Sequence, residues 1–182
     1  LLSGEENFSG RLPFTYPKYV NKFAVYDYKP SESQGMMSGS YNYNAVMDIQ
    51  WPFGHGMSYT AFEYSNMTVS ASEFDSDDVL KVTVDVANVG ARAGKESVLL
   101  YSSDLYASST PDVRRLRAFD KVELAPGEMT TVEFELSAKD LAFADYYGKW
   151  TLEKGDFILS VGNLSQKITC TETVLWDEPN ID

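Results

Sequence analysis

Cysteine and histidine are each represented by one residue, Cys170 and His55. A single cysteine excludes a disulfide within the chain, and its place in the strand-like run 168–171 predicts a buried free thiol. A zinc site needs three or four protein ligands, which one histidine and one distant cysteine do not supply. The sequence also has no Gly-x-Ser-x-Gly turn of a serine hydrolase. We therefore interpret His55, which stands between two glycines, as a structural ring.

Positive charge is scarce as well. The 182 residues include 15 Lys and Arg against 27 Asp and Glu, so the net charge is −12. We expect no nucleic acid partner, because phosphate contacts need clustered cations. No apolar run reaches the ~18 residues of a transmembrane helix, so we expect no membrane span. The composition, with 43% hydrophobic residues, instead predicts a folded core under an acidic, solvated surface.

From residue 61 onward, short runs alternate between apolar and polar residues. In 80–86, Leu80, Val82, Val84 and Val86 alternate with polar or small residues, which is typical of a half-buried strand. Further strands are predicted at 62–69, 97–101, 116–124, 132–136, 149–152, 157–161 and 168–176. Such a series predicts a mainly β fold, an immunoglobulin-like antiparallel β-sandwich. The Cys-Trp-Cys pattern of true immunoglobulin domains is absent, which favours the fibronectin type III-like version.

The connections carry their own signals. The polar stretch 102–115, which contains Pro111, predicts a long loop between two strands. Ser137 followed by Asp140 predicts a short capped helical turn. Before the strands, the connector 51–60 contains Phe53 and Tyr59, whose rings we expect to anchor the sandwich to the preceding segment.

Four motifs give the chain a family resemblance. They are SGRLPFTYP at 9–17, WPFGHGMSYT at 51–60, NVGARAGKE at 88–96 and LRAFDKV at 116–122. They resemble segments of glycoside hydrolase family 3, which contains β-glucosidases and β-xylosidases. Within the second motif, Met57 replaces the usual leucine, a change that conserves volume. The resemblance implies that residues 1–60 are the C-terminal tail of an α/β sandwich domain plus a connector, and that residues 61–182 are a fibronectin type III-like domain.

The resemblance also implies a function. A β-glucosidase-like member of the family hydrolyses terminal β-linked sugars of oligosaccharides with retention, and this chain would be its C-terminal structural portion. Such hydrolysis needs two carboxyl groups about 5–9 Å apart, and the sequence shows no such pair. In the family both catalytic carboxylates precede the position of Leu1. We therefore assign no catalytic residue to this chain, and the resemblance implies no metal and no cofactor.

The implied partners are the remaining barrel and α/β sandwich domains of the parent enzyme and a β-linked oligosaccharide substrate. The sequence leaves open whether the protein forms a homodimer. We expect a periplasmic or secreted location. The alternative is a free-standing carbohydrate-binding or adhesion module without enzymatic activity. Phe62, Phe134 and Phe157 lie on apolar strand faces, which favours a core over a row of exposed, sugar-stacking rings.

Residues 18–50 are rich in tyrosine, and two short stretches alternate aromatic and polar residues. The candidates for the periphery of a sugar site are Tyr26, Asp27, Tyr28, Tyr41 and Tyr43. Aromatic rings stack on sugar faces, and carboxylates bind hydroxyl groups. The alternative is a long loop that packs its tyrosines against neighbouring domains. Loops of this length tend to be either functional or disordered, and the aromatic content argues against disorder.

Overall fold

The computed structural model describes residues 3–20, 24–30 and 49–176. Strands dominate these ranges, and a 3-10 helix covers Ala138–Leu141. No helix in them is long and apolar enough to cross a membrane. The strands are β1 (Tyr16–Pro17), β2 (Ile49–Trp51), β3 (Phe62–Val69), β4 (Glu73–Phe74), β5 (Val79–Asn88), β6 (Gly94–Asp104), β7 (Arg115–Leu124), β8 (Met129–Ser137), β9 (Phe143–Ala144), β10 (Trp150–Leu152), β11 (Gly155–Val161), β12 (Leu164–Cys170) and β13 (Val174–Trp176).

Two sheets form a β-sandwich. One sheet has the strand order β3-β5-β8, and the other has the order β4-β12-β11-β6-β7. All these pairings are antiparallel except that of the two-residue strand β4 with β12. A smaller sheet has the order β13-β10-β9, and β1 pairs with β2 ahead of the sandwich. The predicted mainly β fold, an immunoglobulin-like antiparallel sandwich, is confirmed.

Alternate residues of the strands supply the core. The inward-facing apolar residues of β5 are at most 1% exposed, and they are Leu80, Val82, Val84 and Val86. Phe134 and Phe157 are buried and Phe62 packs against the same cluster, so the predicted placement of these rings in the core is confirmed. Cys170 is a free cysteine with no exposed surface, as the sequence predicted. Burial of these side chains stabilises the sandwich by about 25 cal/mol per Å² of apolar surface.

The last predicted strand, 168–176, is wrong as a single element. The chain leaves the five-stranded sheet after Cys170, and Val174–Trp176 joins β10 in the small sheet instead. The crossing is held because Thr171 donates its backbone N–H to Phe74 O (2.9 Å) and Thr173 Oγ1 accepts from the N–H of Lys154 (2.9 Å). Alternation within one strand could not reveal this change of sheet.

The predicted loop 102–115 is shorter than expected, because β6 continues to Asp104. Ser102, Ser103 and Asp104 pair with residues of β11 in regular register. Backbone pairing therefore overrides the low strand preference of these polar side chains. The predicted helical turn is confirmed, since the Asp140 carboxylate accepts hydrogen bonds from the N–H (2.8 Å) and the hydroxyl (2.6 Å) of Ser137.

Candidate functional site

The N-terminal segment, meaning the described residues before residue 61, lies against the outer face of β6 and β7. Leu99 and Tyr101 of β6 point away from the core, and Gly54 approaches both so closely that an added Cβ would lie 2.8 Å from Leu99 Cδ1. Lys121 of β7 donates from Nζ to the carbonyl oxygen of Ser9 (3.1 Å). Tyr101 is only 7% exposed although it faces outward. The segment therefore covers this part of the sheet.

Three of the four sequence motifs meet at Arg11, in a group of contacts that we call the junction. Arg11 donates from Nη1 to the carbonyl oxygen of Gly56 (2.8 Å) and from Nη2 to the carboxylate of Glu96. The Tyr64 hydroxyl donates to the other oxygen of Glu96 (2.8 Å). One guanidinium thus joins the first motif to the connector and to β6 of the sandwich.

Glu96 is the buried charge of the junction. It is 6% exposed and lies on the core-facing side of β6, two residues before Val98. Isolated buried carboxylates are strongly disfavoured, so the ion pair with Arg11 and the hydroxyl of Tyr64 are what make this position tenable. Burial first, and then the charge and hydrogen bond of Glu96, raise the pKa of Tyr64. The phenol therefore stays a donor throughout the physiological range.

A second set of hydrogen bonds lies beside the first. The side chain of Asn88 is completely buried, and its amide nitrogen donates to the carbonyl oxygens of Arg92 (2.7 Å) and Leu124 (2.9 Å). Its side-chain oxygen accepts from Thr60 Oγ1 (2.6 Å) and from the N–H of Gly90 (3.1 Å). All polar capacity of this buried amide is used, which fixes the turn after β5 against the end of the connector.

Asn7 bridges the same elements from outside. Its side-chain oxygen accepts from Ser58 Oγ (3.1 Å) and from the N–H of Tyr59 (2.8 Å). Its amide nitrogen donates to the carbonyl oxygen of Ala93 (3.0 Å). Tyr59 is 44% exposed, and its ring contacts Phe8 with 5.3 Å between centroids. The N-terminal segment is thus held to both the connector and the turn that precedes β6.

The glycines of two motifs are explained by close packing. A Cβ at Gly56 would overlap the carbonyl oxygen of Gly10 and lie 2.8 Å from Arg11 Cδ. A Cβ at Gly90 would overlap Thr60 Oγ1 and lie 2.9 Å from the backbone nitrogen of Ala61. Two backbone segments approach each other at each point, so only glycine fits without a shift.

The connector residues find partners inside the chain. The Phe53 ring stacks on Tyr26, with 4.4 Å between centroids, and Tyr26 in turn contacts Tyr101 edge-on at 6.4 Å. His55 forms two backbone bonds with Leu12 and Pro52, and its ring lies 6.2 Å from Trp51 and nearly parallel to it. Within the described ranges no group of three or more His, Cys, Asp or Glu could hold a metal ion.

The predicted sugar-site residues are only partly described. Tyr41 and Tyr43 lie outside the described residues. Tyr26 forms a turn with Asp27, and the carbonyl oxygen of Tyr28 accepts the N–H of Val113 (2.9 Å). These contacts dock the segment on the loop between β6 and β7. Stacking on Phe53 occupies one face of the Tyr26 ring, which favours the packing interpretation for that residue.

A hollow of about 380 Å³ lies beside these tyrosines. Thr15 belongs to its wall, is 6% exposed, and has a hydroxyl without a hydrogen-bond partner among the described residues. Arg114 stands over the ring of Tyr101 at 4.6 Å and lines the hollow too. The wall is otherwise apolar or aromatic, with Tyr26 and Phe53 as members. The hollow therefore combines apolar surface with one unsatisfied donor.

Sequence reasoning missed the junction as a unit. It singled out the motifs that contain Arg11, Gly56 and Glu96, but it assigned no contact between them. The spacing gave no sign that positions 85 residues apart share an ion pair. Tyr64 was predicted only as a strand residue, because nothing in its neighbourhood marks a partner. The one signal that could have suggested the ion pair is that two motifs contain residues of opposite charge, Arg11 and Glu96.

Comparison with known proteins identifies the domain family of the sandwich. Residues 96–165 match the family of fibronectin type III-like domains. The sandwich is a fibronectin type III-like domain. Strands β6, β7, β8 and β11 fall entirely or almost entirely within the matched range.

Relatives extend the similarity beyond the fibronectin type III-like domain. The chain is 38% identical to the thermostable β-glucosidase B of Acetivibrio thermocellus, over 96% of this chain and 24% of that protein. It is 40% identical to the lysosomal β-glucosidase of Dictyostelium discoideum, over 90% of this chain and 20% of that protein. The chain thus spans about a quarter or less of these relatives.

Solved structures agree. A β-glucosidase of Listeria innocua in complex with glucose has a TM-score of 0.84 and 29% identity, over 94% of this chain and 25% of that one. A β-glucosidase of Erythrobacter marinus has a TM-score of 0.83 and 34% identity, over 93% of this chain and 23% of that one. The resemblance to the C-terminal part of a family 3 β-glucosidase is confirmed.

Proposed function

We propose that this chain is the C-terminal structural portion of a retaining β-glucosidase-like hydrolase that acts on terminal β-linked sugars of oligosaccharides. The observation that carries the proposal is the similarity to β-glucosidases over 96% and 90% of the chain. In this proposal the fibronectin type III-like domain stabilises the catalytic domains and packs on them. The catalytic carboxylates belong to those other domains, and this chain contributes none.

The junction supports a structural role. In the proposed division, residues 1–60 are the tail of an α/β sandwich domain and its connector, and residues 61–182 are the fibronectin type III-like domain. Arg11, Gly56 and Glu96 are bonded across that boundary, and so are Asn7 and Ala93. Directional bonds and an ion pair at such a boundary favour one rigid block over two independently moving domains.

The hollow beside Thr15 supports a contact with the barrel and the rest of the sandwich domain. Its apolar wall and its unsatisfied hydroxyl suit a protein surface that supplies an acceptor. Asp27 and Tyr28, together with Tyr41 and Tyr43, stay candidates for the periphery of the sugar site. Their neighbour Tyr26 is already stacked on Phe53, which favours a packing role for that ring.

A periplasmic or secreted location is part of the proposal. It is supported by the name of one relative, the periplasmic β-glucosidase of Salmonella typhimurium, which is 32% identical to the chain.

The first prediction tests the division of labour. The complete protein should hydrolyse a chromogenic β-glucoside or β-xyloside, whereas the 182-residue chain alone should hydrolyse neither, because it lacks the paired carboxylates. Both proteins are assayed at equal concentration with both substrates. Turnover by the chain that disappears when one of its own carboxylates is changed would contradict the proposal, and so would a complete protein inactive on both glycosides.

A further inference from the structure

A cavity of about 270 Å³ lies where β6 ends and β7 begins. Its wall is formed by the loop between these strands, the 3-10 helix, and strands β9 and β10. None of its residues takes part in the junction. Ligand pockets commonly measure ~300–1,000 Å³, so this cavity is of a size for a small ligand, about one ring in extent.

Arg117 supplies the strongest donor of the cavity. Its Nε donates to Ser102 Oγ (2.7 Å), and within the described part of the chain Nη1 and Nη2 have neither an ion pair nor a hydrogen bond. Burial lowers the pKa of Arg117 to about 10, and the nearby charge of Arg115 acts in the same direction. The Nη1 and Nη2 groups of this half-buried guanidinium can therefore donate hydrogen bonds to two acceptor atoms of a ligand.

The other cations of the wall are already compensated. Arg115 Nε lies 3.0 Å from Asp112 Oδ2, and Lys29 Nζ lies 3.3 Å from the other oxygen of that carboxylate. Lys29 also donates to the carbonyl oxygen of Thr110. Arg117 is thus the cation of the wall that has no carboxylate within ion-pair distance among the described residues.

Asp104 supplies an acceptor on the same wall. Its Oδ1 accepts the N–H of Tyr106 (3.2 Å), and it forms no ion pair with Arg117. Burial raises the pKa of Asp104 to about 6; the Tyr106 N–H and Arg117 oppose this shift, and Glu153 adds to it. A donor and an acceptor that face one cavity without bonding each other are arranged for a ligand that carries both functions.

The raised pKa of Asp104 gives a prediction of its own. The Asp104 carboxyl keeps its proton up to about pH 6 in the folded protein but loses it at about pH 3.9 in the unfolded chain. Between these two pH values the unfolded chain releases the proton and the folded protein does not. The contribution of Asp104 to the free energy of unfolding therefore falls as the pH rises from about 4 to about 6. Asp104→Asn should therefore raise the melting temperature relative to the parent chain at pH 7.5 but not at pH 4. Asp77→Asn, at an exposed loop residue, is the control. A difference for Asp104→Asn that is equal at both pH values would contradict this account.

Aromatic rings complete the wall. Trp150 and Phe143 line the cavity from neighbouring strands of the small sheet and offer flat apolar surface. The hairpin that carries them ends in Tyr146 and Tyr147, which are 94% and 83% exposed. Trp150 and Phe143 thus add apolar surface to the polar groups of the same cavity, a combination typical of ligand pockets.

The charges of the wall select the class of ligand. Three cations, Lys29, Arg115 and Arg117, stand against two carboxylates, Asp104 and Asp112. An anionic ligand would gain Arg117 but would meet the Asp104 carboxylate beside it. A neutral ligand with adjacent hydroxyl groups can accept from Arg117 and donate to Asp104 at the same time, and its C–H face can lie on a ring.

We propose that this cavity is a non-catalytic site for one neutral sugar ring, held by Arg117, Asp104 and the aromatic wall. Only the residues of the wall carry this assignment, which does not depend on the proposed function. Affinity for a single ring is expected to be roughly millimolar, as is usual for so small a ligand.

The test uses the ¹⁵N-labelled 182-residue chain and methyl β-D-glucoside as the neutral probe, followed by NMR. We expect saturable shifts at the indole N–H of Trp150 and at Nε–H of Arg117, and none of comparable size at the other two indoles. Arg117→Met should weaken binding by about tenfold or more, because two charge-assisted donors are lost. Lys95→Met, which removes an exposed cation of β6 outside the cavity, should leave the affinity unchanged.

A second variant guards against misfolding. Ser109→Trp, in the loop that forms one wall, should block the cavity without removing a structural contact, and it should also abolish the shifts. Glucuronate is the anionic probe and should bind more weakly than the neutral glycoside. Three results would overturn the proposal. They are shifts that do not saturate, binding that survives in both Arg117→Met and Ser109→Trp, and tighter binding of glucuronate, which would assign the cavity to anions instead.

Discussion

Gly56→Ala is expected to destabilise the chain by about 3 kcal/mol, the upper end of the usual cost of forcing extra atoms into a packed site. For a chain of this length, this corresponds to a fall in melting temperature of about 6–12 °C. The added Cβ would overlap the carbonyl oxygen of Gly10 and crowd Arg11 Cδ. Backbone atoms cannot rotate away as a side chain can, so the connector must move. The bond from Arg11 to Gly56 O is then lost or lengthened.

Gly10→Ala is the matched control for this change. It introduces the same methyl group on the opposite side of the same contact, but an added Cβ there meets nothing within 4 Å. It should leave stability unchanged or raise it by about 0.4–1 kcal/mol, through a smaller entropy of the unfolded chain. Thermal unfolding of the two variants and the parent chain decides the matter. Equal melting temperatures for Gly56→Ala and Gly10→Ala would mean that the close approach of the two segments carries no energetic weight.

Arg11→Met is expected to cost about 3 kcal/mol or more. The variant keeps most of the side-chain volume but removes the guanidinium, which leaves a carboxylate that is 6% exposed with only the Tyr64 hydroxyl as a partner. Breaking a buried ion pair by removing one member typically costs about 3–5 kcal/mol. The surface pair of Lys95 and Glu123, 50% and 67% exposed, provides the comparison. Lys95→Met should change the free energy of unfolding by about 1 kcal/mol or less.

The double variant Arg11→Met with Glu96→Met separates the two contributions. If the cost of Arg11→Met comes from the stranded carboxylate, then removing that carboxylate should recover most of the lost stability, since apolar replacements of buried pairs are often neutral. Chemical denaturation of the parent, the single variants and the double variant gives the coupling energy. Strictly additive losses would show that Arg11 and Glu96 act independently and that the junction is not a unit.

The sandwich could be predicted from the sequence because its signal is local. Strand β5 places Leu80, Val82, Val84 and Val86 at a period of two, and each side chain reports its own burial. The change of sheet between Cys170 and Val174 could not be predicted, because both strands share the same periodicity and only distant partners distinguish them. Polar Ser102 and Ser103 concealed the end of β6 for the same reason, since their pairing partners lie in β11.

The candidate sites were harder to predict than the fold. Motif similarity marked the segments that contain Arg11, Gly56 and Glu96, yet the contacts between them depend on how the N-terminal segment folds back over β6. Arg117 stood in the fourth motif and Asp104 in the predicted loop 102–115, but nothing in the sequence marked either as buried, because a charged side chain usually faces solvent. Both side chains lose solvent because β9, β10 and the 3-10 helix pack around them at the end of the sandwich, and only the three-dimensional structure shows this packing.

The separation of the junction partners along the chain has a consequence for protein synthesis. Arg11 and Glu96 are 85 residues apart, and Asn7 and Ala93 are 86 apart. At a translation rate of about 5–20 residues per second, the first member of each pair waits about 4–17 s for its partner to be made. During that interval the nascent N-terminal segment has no β6 or β7 to cover. Any domain synthesised before residue 1 would therefore end in a segment that stays undocked until the ribosome has synthesised β6 and β7.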